Sequence, residues 1–361
     1  LVILFYDKSI TPRKSIDQVF KACSKHLPNL RFDVYTVDSK NLNEIYRQVT
    51  NVISDCSDCM IDLSGGSGLM QVAGYKVGST LDIKMIYADM KRNRMIDILN
   101  NATICDITHV TLEDYLTSKG AYIIGTSHIQ PESDHYQTYY RMSKYIFKDI
   151  KIWSTTCRYM QVTMAGQKGL TLRNKASIRF NQKPISPDKK MLEFCEKLGF
   201  IRHLVYEKEI SFQFTSPMAK QYLTNYGIWL ELYVYLEARK LKDIKDLRIG
   251  AMIDWDNNDG IEVVGNEIDV VLSKYSRPIF ISCKLTDVDT SAINEILTNT
   301  KRVGGSNGKG ILVTFSNIKS TNSWTLKRAS ELGVKILDKS DILSNDFGEI
   351  LEQTINDLIR V

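Results

Sequence analysis

Across the first hundred residues, continuous apolar runs alternate with stretches whose apolar positions recur every three or four residues. Leu1 to Tyr6, Phe32 to Val37, Cys59 to Leu63 and Ile83 to Ala88 read as strands, and Ser15 to His26, Leu42 to Ile53 and Leu69 to Gly78 read as helices. This rhythm predicts a parallel, doubly wound sheet. In such sheets ligands bind beyond the carboxyl ends of the strands, near helix N-termini. Two loops are so placed: Asp7-Lys8-Ser9-Ile10-Thr11-Pro12 after the first strand, and Ser64-Gly65-Gly66-Ser67-Gly68 after the third. In the second, adjacent glycines let the backbone approach an anion and the serines add hydroxyl donors, though a plain tight turn has the same composition.

The pattern changes in the second half. Ser186 onward reads as a helix over Lys189 to Leu198, a strand over Glu209 to Phe214 and a helix over Pro217 to Asn225. An apolar run, Gly227-Ile228-Trp229-Leu230-Glu231, follows. Residues 266 to 272 and 279 to 285 read as two strands joined by a turn over Ser273 to Pro278, which sets Asp269 opposite Ser282. Strand side chains alternate, so Ser282 and Lys284 share a face while Cys283 points away. Ala292 to Arg302 reads as a helix, Gly304-Gly305 as a turn and Gly310 to Phe315 as the next strand. Glu231, Asp269, Ser282 and Lys284 thereby form a candidate site for phosphodiester hydrolysis. That reaction needs a divalent ion held by oxygens, a deprotonated water and positive charge near the phosphate. Glu231 and Asp269 are candidate metal ligands, with the Cys283 carbonyl as a further donor, and Lys284 can orient or activate water. The structural alternative is an ion pair between Glu231 and Lys284.

At 361 residues and 43% hydrophobic content the chain can fill two domains. No apolar run reaches the roughly 18 residues of a membrane span, and no charged leader precedes an apolar segment, so a cytoplasmic protein is expected. The chain starts at Leu1 within a strand pattern, so a few residues are expected to precede it. Seven scattered cysteines argue for reduced thiols. Cys56-Ser57-Asp58-Cys59 lacks the second pair or His cluster that a zinc site requires. The five histidines show no ligand spacing and none is assigned to catalysis. A net charge of +5 permits nucleic-acid binding without demanding it. Tyr115, Tyr122, Tyr136, Tyr139, Tyr140 and Tyr145 cluster with Lys and Arg, either to stack single strands or, the favoured reading, as a packed connector helix.

Gly-x-Trp-Leu-Glu, Asn-Glu-x-Asp, x-Cys-Lys and Arg302-Val303-Gly304-Gly305 together resemble the type III CRISPR ancillary nucleases. In these a CARF sensor domain is joined to a PD-(D/E)xK nuclease domain. The Leu63-Ser64-Gly65-Gly66-Ser67 loop, continued by Leu69-Met70, resembles the ligand loop of CARF domains. The resemblance implies an α/β fold with a Rossmann-like CARF domain over residues 1–113, a connector over 114–185, and a winged-helix-like lead plus restriction-endonuclease-like domain over 186–361. It further implies a homodimer that binds cyclic tetra-adenylate through Asp7, Ser9, Thr11, Ser64, Gly65, Gly66 and Ser67, and that cuts single-stranded DNA or RNA, or nicks duplex DNA, with Mn²⁺ or Mg²⁺. Two positions depart from the family pattern: Ser282 replaces a Glu, and Gly68 replaces a frequent Lys. These leave open a ligand-responsive regulator with a decayed nuclease site, or an enzyme acting on the cyclic ligand in the first domain.

Overall fold

The computed structural model describes every residue except 55, 57, 91, 108, 255–264, 289, 305–307 and 361. Ser57 and Gly305, which belong to two of the motifs above, therefore lie outside the described residues.

The N-terminal rhythm is realised as β1 (Val2–Tyr6), α1 (Arg13–Ser24), β2 (Phe32–Thr36), α2 (Leu42–Ile53), β3 (Met60–Asp62), α3 (Gly68–Leu81) and β4 (Lys84–Asp89). β1 pairs with β2 and β3 with β4, both parallel. The sheet is nevertheless not one continuous parallel layer. After β4 the chain turns back through Asn93, whose φ is 52°, instead of crossing over on a helix. β5 (Arg94–Asp97) and β6 (Ala102–Asp106) then extend the sheet antiparallel, in the order β3-β4-β5-β6. Ile45, Val49 and Ile53, spaced four apart on α2, pack with Ala73 and Val77 of α3 to form this core. Gly78 permits the close approach of α3 to the sheet, since a Cβ there would stand 2.5 Å from Met85 Sδ.

The middle of the chain supplies α4 (Leu112–Ser118), β7 (Tyr122–Thr126), α5 (Tyr136–Lys148), α6 (Ile150–Met164), β8 (Thr171–Lys175), β9 (Ile178–Phe180), β10 (Lys183–Ile185), α7 (Lys189–Lys197), β11 (Ile201–Tyr206), β12 (Glu209–Phe214) and α8 (Pro217–Leu223). β11, β12 and β8 form a three-stranded antiparallel sheet. The tyrosine-rich segment is a packed helix: Tyr139 is buried, Tyr140 meets Tyr233, and Tyr145 stacks on Phe194 at 3.9 Å between centroids.

The remaining elements are α9 (Ile228–Ala238), β13 (Ile244–Asp254), β14 (Gly265–Lys274), β15 (Arg277–Lys284), α10 (Thr290–Gly304), β16 (Lys309–Thr314), α11 (Ile318–Thr321), α12 (Ser323–Glu331), β17 (Val334–Leu337), α13 (Lys339–Ile342) and α14 (Phe347–Arg360). Every residue of α9 is buried, as expected of a helix apolar around its circumference except at Glu231 and Glu237. It packs against β13, β14, β15 and α14 in the largest core of the molecule. β14 and β15 are joined through Tyr275 and Ser276, whose φ values of 50° and 58° fit a two-residue hairpin turn. Gly304 ends α10 and does not sit in a turn. The six-stranded sheet runs β17-β16-β15-β14-β13-β7, so a strand from the connector forms its edge. No helix among the described residues is long and apolar enough to cross a membrane.

Candidate active site

The β14–β15 ladder reaches Val270↔Ile281 and stops. At the next step, where Asp269 and Ser282 would pair, the strands part and the ladder leaves a backbone donor over. The Asp269 carboxylate takes it: the Cys283 N–H donates to Asp269 Oδ2 at 2.6 Å, and Ser282 Oγ donates to the same oxygen at 3.2 Å. The opposition of Asp269 to Ser282 read from the sequence is thus present. Cys283 directs its thiol into the core, where burial pushes that thiol's pKa up. Lys284 is partly exposed, and its ammonium lies 3.5 Å from Glu295 on α10. It does not pair with Glu231, so the simple Glu231–Lys284 ion pair is not what holds the site.

Glu231 comes from the first turn of α9, where the helix dipole favours a negative charge. Its partner is a residue that sequence reasoning passed over. His128 Nε2 lies 3.0 Å from Glu231 Oε2 and 3.3 Å from Glu267 Oε1. His128 follows β7, more than a hundred positions from Glu231, and no local spacing announces it. The one sequence signal was the β-type run Tyr122-Ile123-Ile124-Gly125-Thr126 leading into Ser127-His128. Ser127 Oγ donates to Glu267 Oε1, which ties the second acid to the same segment. Asn266 is anchored to α10 through its amide, which donates to Asn299 Oδ1 at 3.0 Å.

The electrostatics show a crowded anionic site. Burial and the neighbouring charge of Glu231 push the Asp269 carboxyl up to about 7, against the opposing effects of the Cys283 N–H and Lys284. Burial works against a charge on His128, but the Glu231 hydrogen bond and the charges of Glu231, Glu267 and Asp269 outweigh it and raise its pKa. Candidate donor atoms of His128, Glu231 and Glu267 all lie within 4.8 Å of one another. Carboxylates gathered this closely without a cation are unfavourable, and a divalent ion would relieve the repulsion, so the donor set fits a metal.

The N-terminal loops are organised differently. Asp7 is buried and accepts from Ser9 N–H at 2.8 Å, Ser9 Oγ at 2.6 Å, Ser39 N–H at 3.0 Å and Ser39 Oγ at 2.6 Å. Those donors, the Ser39 hydroxyl first, hold its carboxyl well below the usual range. Asp7 therefore ties the loop after β1 to the loop after β2, and its carbonyl receives the Thr11 N–H at 2.8 Å. Ser67 caps α3 by accepting the Met70 N–H at 3.3 Å, and its hydroxyl lies 3.4 Å from the Ser39 carbonyl, which brings in the third loop. Ser64 Oγ accepts the Ala88 N–H at 2.7 Å and is thereby pinned to β4. Gly65 and Gly66 remain exposed, Gly66 has a φ of 82°, and a side chain at Gly65 would meet only open space. The result is a bare glycine ledge at a helix N-terminus, supported from beneath by serine hydroxyls.

Residues 218–356 match the Card1-like endonuclease domain, a span that includes α9, β14, β15, Glu231, Glu267 and Asp269, while His128 and Asp7 lie outside it. Among solved structures, protein VC1899 from Vibrio cholerae aligns at a TM-score of 0.77 with 16% identity, covering 99% of this chain and 91% of that one. Can2 from Sulfobacillus thermosulfidooxidans, solved in complex with cyclic tetra-adenylate, aligns at a TM-score of 0.69 with 19% identity, covering 100% and 90%. At these identities the likeness is one of fold, and it bears out the α/β arrangement of a Rossmann-like unit followed by a restriction-endonuclease-like unit. No curated protein matches the sequence.

Proposed function

We propose that this chain, whose residues 218–356 match a Card1-like endonuclease domain, is a metal-dependent nuclease switched on by cyclic tetra-adenylate and acting on single-stranded DNA or RNA. The observation that supports the reading is the end of the β14–β15 ladder at Val270↔Ile281, beyond which Asp269 accepts from the Cys283 N–H and the Ser282 hydroxyl and feels the charges of Glu231 and Lys284. A divalent ion bound there would supply Lewis-acid charge to the scissile phosphate and a more acidic bound water. The protein's own part is to hold oxygen donors. Asp269 is fixed by the Cys283 N–H, Glu231 by His128, and the Cys283 carbonyl is a further donor. Lys284, on a strand fixed between β14 and β16, directs a positive charge toward the attacking water or the phosphate.

For the sensor half, residues 1–113 form the proposed ligand-binding unit. Gly65 and Gly66 offer backbone N–H groups at the start of α3, while Asp7, Ser9, Thr11, Ser64 and Ser67 hold that ledge in shape. Beside it, Leu69, Val72 and Tyr75 of α3 are exposed large apolar side chains at near-helical spacing. That face supports a twofold dimer in which two ledges flank one symmetric ring, and an isologous pair suits a ligand with internal twofold symmetry. Ligand binding must favour the active arrangement of the two nuclease units, because a ligand shifts an equilibrium only by binding one state better.

The test is cleavage of labelled single-stranded DNA and RNA in Mn²⁺, with and without cyclic tetra-adenylate, in wild type and Lys284→Ala. Ligand-dependent cutting lost in the variant is expected. A wild type that binds the ligand and cuts nothing would favour the second reading, a ligand-responsive regulator, for which Ser282 in place of an acid is the motivating observation.

A further inference from the structure

The geometry points to His128 as a metal ligand: its Nε2, with the carboxylates of Glu231 and Glu267, completes a cation site that serine at position 282 leaves one acidic donor short. The inference rests on the nuclease reading and deepens it by naming a donor that the motif residues do not include. His128 is 8% exposed and presents Nε2 to both acids, at 3.0 Å and 3.3 Å. Its Nδ1 is buried without a hydrogen-bond partner among the described residues. Without an ion the ring is held by packing and by an Nε2 proton shared with the acids; a bound ion would displace that proton to solvent and take its place, leaving the remaining ring proton on Nδ1.

The backbone makes room for this placement. Gly250 lies on β13 between the pairs Ile249↔Val270 and Ala251↔Ile268, hence across from Asp269. It sits at a φ of +59°, and a Cβ there would stand 2.5 Å from Ser127 Oγ and 2.8 Å from His128 Cδ2. The Ser127 N–H in turn donates to the Gly250 carbonyl at 2.8 Å. A glycine in left-handed backbone, an inter-strand hydrogen bond and a hydroxyl on Glu267 together press an imidazole against two acids. A surface histidine that merely met a neighbour would require none of these. Imidazole also changes which ion the site prefers. Nitrogen donors suit Mn²⁺ better than Mg²⁺, which demands oxygen and keeps its waters.

The experiment uses the full chain loaded with Mn²⁺ at mildly alkaline pH. Pulsed EPR detects a directly bound ¹⁴N, and a parallel Mn²⁺ titration gives affinity. Wild type is expected to show the nitrogen coupling. His128→Gln should lose it and weaken Mn²⁺ binding by at least the roughly 10- to 100-fold that loss of a supporting partner costs a metal site. The double variant H128Q/S282E should recover affinity without the coupling, which shows that the fold survived. Bound Mn²⁺ without nitrogen coupling in wild type, or coupling that persists in His128→Gln, overturns the inference. If a wild type with that result still cuts nucleic acid, the nuclease reading stands alone; a wild type that neither binds Mn²⁺ nor cuts with cyclic tetra-adenylate present overturns both.

Discussion

Asp7 and Asp269 both follow or occupy strands at candidate sites, yet their surroundings act in opposite directions. Asp7 receives donors from Ser9 and Ser39 on both carboxylate oxygens, and its pKa is driven down. Asp269 has one backbone N–H and one hydroxyl to set against its burial and the charge of Glu231, and its pKa is driven up to about 7. A carboxylate whose needs are met within the protein builds architecture; one left in excess negative charge is prepared for a cation. The N-terminal part thus uses its buried acid to shape loops, whereas the acids around Asp269 are left without enough donors of their own.

The largest test of this contrast is chemical. Lys284→Ala should lower ligand-activated cleavage by on the order of 10²–10³, the scale for removing one preorganised charge at a transition state, while leaving affinity for cyclic tetra-adenylate unchanged. Asp7→Asn should do the reverse: weaker ligand binding by titration, with basal Mn²⁺ affinity intact. A variant at either position that damaged both functions equally would erase the distinction.

Next comes pH. Asp269 has a folded pKa of about 7 against an ordinary 3.8, so the metal-free fold binds the extra proton and stability falls as pH rises from about 4 through 7. The pKa difference alone sets an upper bound of about 4 kcal/mol on the drop. Asp269→Asn should flatten that slope in thermal melts taken in chelator, and saturating Mn²⁺ should oppose it in wild type. Asp7 carries the opposite sign: its depressed pKa gives stability that is present above the ordinary carboxylate range and lost on acidification below it. An Asp269→Asn melt that tracked wild type at every pH would show that the Asp269 carboxyl is not raised by its burial and its neighbours.

Gly250→Ala addresses the packing behind the nuclease site. A side chain at a φ of +59° that also meets Ser127 and His128 should cost about 1–3 kcal/mol in denaturant unfolding and displace the imidazole. Alanine at Gly65, which faces open space, should leave stability nearly untouched and act, where it acts, on ligand binding.

The same contrast explains what could be read from the chain in advance. Strand and helix periodicity located β1 through β4 and the β14–β15 hairpin, because those segments carry their own patterns. Asp269 opposite Ser282 followed from counting residues outward from a turn read over Ser273 to Pro278, which the structure narrows to Tyr275 and Ser276. What escaped was built by distance. His128 reaches Glu231 only because β7, a five-residue edge strand from a segment without clear periodicity, pairs with β13. β5 and β6 escaped because the reversal at Asn93 depends on a single positive φ. Lys284 was read as a site residue, and the structure sets its ammonium 3.5 Å from Glu295 on α10, a partner the sequence did not announce because ion pairs between elements are set by packing and not by spacing.

Ser282→Glu is the smallest expected effect and bears most directly on how the site manages without the usual acid. In wild type the Ser282 hydroxyl donates to Asp269 and so offsets part of its charge. A glutamate would remove that donor and add a charge beside Asp269, so the metal-free protein should melt lower at neutral pH and above. With Mn²⁺ the same carboxylate becomes a ligand, and affinity should rise. Turnover follows from which deficit matters. If His128 and Glu267 already complete the site, cleavage should change by less than about tenfold, because one added donor then brings little further stabilisation to the transition state. If position 282 is the true vacancy, an inactive wild type should become active in Ser282→Glu, measured on the same labelled strands with cyclic tetra-adenylate present. That gain would shift the wild type toward a regulator with a retired site, and it would do so without disturbing the contrast between an acid satisfied by serines and an acid waiting for a cation.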